Sequence, residues 1–132
     1  MQRSGFFRSR NVTATSLVAT IGVIGSAWAD TPYNGGVVDK DCGENKTCNF
    51  DFDVDAHHIE FDGYFYCSFE NSTGVGVFEP KKTTCSSPNS AITCSVSDSS
   101  PGKRCECNQK EQKTEYDVKV KVECGSAPPP SQ

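Results

Sequence analysis

The most reactive side chains in the sequence are eight cysteines: Cys42, Cys48, Cys67, Cys85, Cys94, Cys105, Cys107 and Cys124. Thiols can ligate zinc, act as nucleophiles or pair with one another. Zinc sites favour clusters in which cysteines are about two to four residues apart. Here one residue separates Cys105 from Cys107 and five separate Cys42 from Cys48. Four disulfides are therefore the expectation, with no metal and no cofactor. Eight cysteines allow about a hundred pairings, and spacing alone selects none of them. On a strand, Cys105 and Cys107 would share a face and reach different partners.

Other groups that could do chemistry are sparse. His57-His58 is the only histidine site, with Asp55 and Glu60 close by. Adjacent strand residues point to opposite faces, so the pair chelates one ion only if the chain turns there. Asp51-Phe52-Asp53-Val54-Asp55 has the carboxylate spacing that opens a calcium loop. Such a loop needs Gly at its sixth place and Glu at its twelfth; Ala56 and Asp62 stand there instead. The acids read more simply as the polar face of a strand. No Ser-His-Asp or Cys-His arrangement has supporting context. Two groups remain as a candidate binding surface. Tyr64 and Tyr66 share a parity opposite the apolar set of their segment, and Asp51, Asp53 and Asp55 form an acidic stripe. Asn45-Lys46-Thr47 and Asn71-Ser72-Thr73 are glycosylation sequons, which makes Asn45 and Asn71 candidate modification sites.

The elements that carry these residues follow from periodicity. Residues 1–29 read as a secretory signal peptide. They hold three Arg and no acid, an apolar run over 17–25, and Ala27 and Ala29 before the cleavage point. The run is shorter than the roughly 20 residues a spanning helix needs, so no membrane span is expected. Residues 30–41 are polar and Gly-rich and read as a flexible arm or first edge strand. Residues 49–55 and 58–69 alternate apolar with polar, the period of half-buried strands, and Asp62-Gly63 carries the signature of a tight turn or bulge. A short strand over 75–79 follows, then a polar loop over 80–90 pinned by Cys85. Residues 92–97 and 103–108 read as a hairpin, and 108–114 as a loop or one helical turn. The clearest strand is 115–124, with Tyr116, Val118, Val120, Val122 and Cys124 on one side. Residues 125–132 (GSAPPPSQ) read as a disordered, Pro-rich tail.

Composition fixes the class. Beyond residue 29 there is no Leu, Met or Trp, whereas nine Val and six Phe remain. The best apolar helix formers are absent and β-branched and aromatic residues dominate. The expectation is a mostly β fold: a small disulfide-stapled antiparallel sheet or sandwich over 42–124. An α+β arrangement with one short helix on the sheet is the alternative. The 103 residues after the leader carry 10 basic and 17 acidic side chains, net −7. Residues 30–79 are net −9 and residues 80–132 net +2. This balance excludes a basic stripe for nucleic acid.

At the level of class, the leader, the eight later cysteines, the short length and the lack of a catalytic motif resemble small secreted cysteine-rich proteins of the fungal effector type. That resemblance implies an extracellular monomer that binds a host or surface molecule, protein or glycan, without catalysis. Asn49-Phe50-Asp51-Phe52 and Val122-Glu123-Cys124 are also similar to segments of secreted fungal guanyl-specific ribonucleases. This second resemblance implies an α+β ribonuclease-like enzyme or its inactive relative, with Glu60 as base beside His57 or His58. No histidine follows residue 58 to act as the distant acid. A protease inhibitor presenting the 80–90 loop is a third reading.

Overall fold

A computed structural model describes residues 30–110 and 114–129. Residues 1–29, where a signal peptide is expected, three residues of the 108–114 connection and the last three residues lie outside the described residues. Alternating side chains select strands, and the described residues form nine of them and no helix. They are β1 (Thr31–Tyr33), β2 (Val38–Gly43), β3 (Thr47–Val54), β4 (Glu60–Asn71), β5 (Gly74–Phe78), β6 (Lys82–Ser86), β7 (Ile92–Asp98), β8 (Lys103–Gln109) and β9 (Tyr116–Glu123). A four-stranded sheet runs β1-β3-β9-β6, and a five-stranded sheet runs β2-β4-β8-β7 with β5 beside β4. β4 is long enough to pair twice, with β8 over Glu60–Phe65 and with β5 over Cys67–Asn71.

The two sheets face each other across one core. Phe52 from β3 packs on Phe61 and Phe65 from β4, with ring centroids 4.9 and 6.2 Å apart. Val118, Val120 and Val122 of β9 complete the layer and are at most 1% exposed. The expected inward set of β9 is thus buried as its alternation requires. The fold is the expected mostly β, disulfide-stapled one, and the helical alternative has no counterpart among the described residues.

Four expectations change, and the two alternatives for 30–41 narrow to edge strands. The sheets are mixed rather than purely antiparallel, because β1 pairs parallel to β3 and β2 parallel to β4. Residues 30–41 therefore supply β1 and most of β2, and Tyr33 is buried at 4% exposure. Asp62-Gly63 is no turn: β4 passes straight through it. A Cβ on Gly63 would lie 2.5 Å from Val38 Cγ2, so the missing side chain lets β2 approach. Within 80–90, Lys82–Ser86 is a strand held by β9. At the C-terminus, the Gly125 carbonyl accepts from the Asn45 amide at 2.9 Å and the Ala127 amide donates to Glu44 at 2.9 Å. The tail thus stays docked through Ala127.

All eight cysteines pair: Cys42–Cys48, Cys67–Cys124, Cys85–Cys105 and Cys94–Cys107. The first three cross from one sheet to the other, and the fourth joins neighbouring strands. Cys105 and Cys107 share the inner face of β8 and reach different partners, as their spacing implies. With so thin an aliphatic core, such bridges supply much of the constraint that burial cannot.

Candidate binding site

Side-chain parity assigns each candidate residue to a face. On β3, Phe52 and Val54 point inward, which places Asp51 and Asp53 on the outer side of the four-stranded sheet, with Asp55 in the turn just beyond the strand. On β4, Phe61, Phe65 and Cys67 point inward, which places Tyr64 and Tyr66 on the outer side of the five-stranded sheet. The two halves of the expected surface therefore lie on opposite sides of the sandwich.

The acidic stripe is matched by its neighbours only in part. Register sets Asp51 opposite Lys119, with a 3.4 Å ion pair, and Lys121 reaches Glu123 at 3.9 Å. Asp53 stands opposite Asp117, a like-charged pair. Glu115 sits at its end: the Asp53 charge and a hydrogen bond to Asp53 hold its carboxyl above the usual range. Asp55 caps the turn after β3. Its Oδ1 accepts from the His57 amide at 2.8 Å and lies 2.9 Å from His58 Nδ1, and both contacts hold its carboxyl below the usual range.

The histidines do not converge. His58 stands edge-on to Tyr33, with centroids 5.8 Å apart, and occupies the space where a Cβ of Gly35 would fall. His57 is exposed. Glu60 lies on the outer face of β4 opposite Asn108 and has no hydrogen bond to either histidine among the described residues. The Glu–His arrangement of the ribonuclease reading is not assembled here.

The tyrosine face is a trough. β2 runs along one side of β4 and sets Asp39 beside Tyr64 and Asp41 beside Tyr66. β5 runs along the other side and sets Val77 beside Ser68 and Val75 beside Glu70. Val75 and Val77 are 74% and 47% exposed, so apolar surface stays open to solvent. One hollow of about 520 Å³ lies over Tyr64, Tyr66, Val77 and Pro101 with Asp39 on its wall. A second, of about 760 Å³, continues past Tyr66 and Val77 to Phe69 between Asp41, Glu44 and Glu70, with Lys46 at its margin. Burial raises the Tyr66 phenol above its ordinary value, and the charges of Asp39 and Asp41 raise it further.

The cation nearest the tyrosines is already engaged. Arg104 grips Asp62 with two hydrogen bonds of 2.9 and 2.8 Å, reaches Glu106 at 3.2 Å and stacks 5.7 Å from the Tyr64 ring centre. That grip holds the guanidinium charged above its usual range. The 99–102 turn is pinned beside the trough, because Glu79 accepts from the Gly102 amide at 2.6 Å. The floor is thus rigid and aromatic, and the wall is anionic.

Asp39, Asp41, Val75 and Val77 were not singled out by sequence reasoning. The alternation Val38, Lys40, Cys42 against Asp39, Asp41 was the available signal. Its partner strand begins more than 20 residues later. Both sequons are exposed at turns. Asn71 ends β4, and its Oδ1 accepts from the Thr73 amide at 2.8 Å. Asn45 has a left-handed φ of 59° and accepts from Ser126 at 3.0 Å. Comparison with protein-family models, curated proteins and solved structures gave no match. Among the described residues, no helix is long and apolar enough to cross a membrane.

Proposed function

We propose that this chain is a secreted, non-catalytic binding protein that takes a cationic, partly apolar segment of an extracellular protein into the Tyr64–Tyr66 trough. The observation that carries the reading is the pairing of open apolar surface, Val75 and Val77, with carboxylates at Asp39, Asp41 and Glu70. Aromatic side chains offer a large, stiff contact area and a face for Arg or Lys. The carboxylates favour positive partners and speed their encounter. Four disulfides favour an oxidising compartment, in line with the leader expected over 1–29. The class-level resemblance to fungal effectors points the same way.

The test uses oxidised residues 30–132 and a panel of fluorescent ten-residue peptides. Each peptide carries one aromatic residue flanked by two Arg; a matched panel carries Glu in place of Arg. The basic panel is expected to bind at micromolar concentration and to weaken at least tenfold in 0.5 M salt. Equal binding of both panels, or of neither, overturns the reading.

A further inference from the structure

Two of the bridges meet in one sulfur cluster, independently of the trough. Cys105 and Cys107 face the core from β8 and are 0% and 1% exposed. Each is bonded to a half-buried cysteine on an edge strand: Cys85 on β6, the edge of the four-stranded sheet, and Cys94 on β7, the edge of the five-stranded sheet. The sulfurs of Cys85, Cys94 and Cys107 lie within 4.8 Å of one another. Cys85 Sγ and Cys107 Sγ are 3.5 Å apart although they belong to different bridges.

We propose that Cys94 is a modification site for small monothiols, and that attack there isomerises the neighbouring bridge. Disulfides exchange when a thiolate attacks one sulfur and displaces the other. An external thiolate bonds to Cys94 Sγ, the Cys94–Cys107 bond breaks, and the electron pair leaves on Cys107 Sγ. A thiolate in that apolar interior is disfavoured, so it does not accumulate. It takes up a proton, returns to Cys94, or attacks Cys85 Sγ. In the last course the Cys85–Cys107 bond forms, the Cys85–Cys105 bond breaks, and Cys105 leaves as a thiolate that takes up one proton. The sum consumes one monothiol and needs no other oxidant or reductant. Its product is a mixed disulfide at Cys94, a Cys85–Cys107 bridge and a neutral Cys105 thiol, which a core tolerates as a small apolar group. Only entry at Cys94 starts this relay, because attack on Cys85 frees Cys105, whose sulfur lies outside the three-sulfur cluster.

The experiment treats the oxidised protein with glutathione at pH 8, quenches in acid and alkylates free thiols. Glu-C, cutting after Glu106, and thermolysin, cutting before Ile92, separate Cys105 from Cys107 and Cys85 from Cys94 for mass spectrometry. The expected product carries glutathione on Cys94, a Cys85–Cys107 linked peptide and an alkylated Cys105, with Cys42–Cys48 and Cys67–Cys124 intact. A glutathione adduct without the Cys85–Cys107 peptide overturns the proposal, as does simultaneous loss of all four bridges. In a C85S/C105S double variant Cys107 has no second bridge to attack, so the free thiol beside the Cys94 adduct is expected on Cys107. In the native protein, alkylation of Cys107 in place of Cys105 overturns the relay. Should the variant fail to fold, the peptide map of the native protein decides alone.

Discussion

The outer faces of the two sheets are built by the same alternation and end up chemically different. On the four-stranded sheet, Asp51 and Glu123 meet Lys119 and Lys121, and the acids left over gather at one end around Asp53, Asp117 and Glu115. On the five-stranded sheet, the single Arg is consumed by Asp62 and Glu106. Among the described residues, Asp39, Asp41 and Glu70 are left without a cationic partner around half-buried tyrosine and exposed valine, with Asp41 accepting only from Ser68 at 2.8 Å. Alternation decides that a residue faces solvent; strand neighbours decide whether it faces solvent satisfied. An acid beside a lysine is finished surface, whereas an acid beside a tyrosine and an open valine is surface with capacity left over.

The comparison presumes that the sheets act as one body, and the largest effect tests this. Replacing Cys67 and Cys124 with Ser opens a loop with a sequence separation of 57 residues, worth about 4 kcal/mol by loop-closure entropy. Urea denaturation is expected to show that loss in a single transition reported alike by far-UV circular dichroism and tyrosine fluorescence. Two separated transitions would mean that the sheets unfold independently.

Next in size, Tyr66→Ala is expected to weaken basic-peptide binding at least tenfold in fluorescence polarisation, while Asp51→Asn on the opposite face changes it less than twofold. Equal effects from both would erase the difference between the faces.

A smaller effect concerns the acidic end of the four-stranded face, where Asp30 and Glu115 join Asp53 and Asp117. Asp53→Asn removes the repulsion with Asp117, expected to add about 0.5 kcal/mol at pH 7. The Glu115 carboxyl is raised in the folded state. Its contribution is therefore favourable below the ordinary carboxylate range and is lost as pH rises through the raised value. The melting temperature of Asp53→Asn should thus exceed that of the native protein at pH 7 and converge with it near pH 3. A gain that persists at pH 3 would assign the effect to something other than charge.

Least of all, Lys119→Ala breaks an exposed ion pair and is expected to cost under about 0.5 kcal/mol in the same melts. A loss above about 1 kcal/mol would show that this pair contributes more than an exposed contact does.

Much of the fold was legible because β3 and β9 obey a period of two without interruption, so Phe52, Val54 and the valines of β9 could be assigned inward from spacing alone. The outward parity of Tyr64 and Tyr66 was legible for the same reason. The trough was not, because its walls come from β2 and β5 and one of them pairs in parallel. A parallel neighbour cannot be reached through a tight turn, and so leaves no local signal. Gly63 misled for a related reason: Asp-Gly marks turns, yet here the glycine answers to Val38 on a distant strand. Joining Tyr66 to Asp51 as one surface failed because parity is relative within a strand and says nothing about which sheet the strand enters.

The pattern of bridges also divides the backbone into two covalent blocks. Cys42–Cys48 closes on itself, whereas the other three bridges tie every stretch between Cys67 and Cys124 to the rest of that span. A peptidase that cuts the 71–74 turn, the 87–91 connection or the 99–102 turn leaves the pieces joined. A cut between Cys48 and Cys67 leaves the N-terminal block held only by strand pairing and packing, with no covalent link, and the exposed connection there is the turn at His57. The Asp55 cap therefore orders the connection at which a single nick between bridges is not held by sulfur.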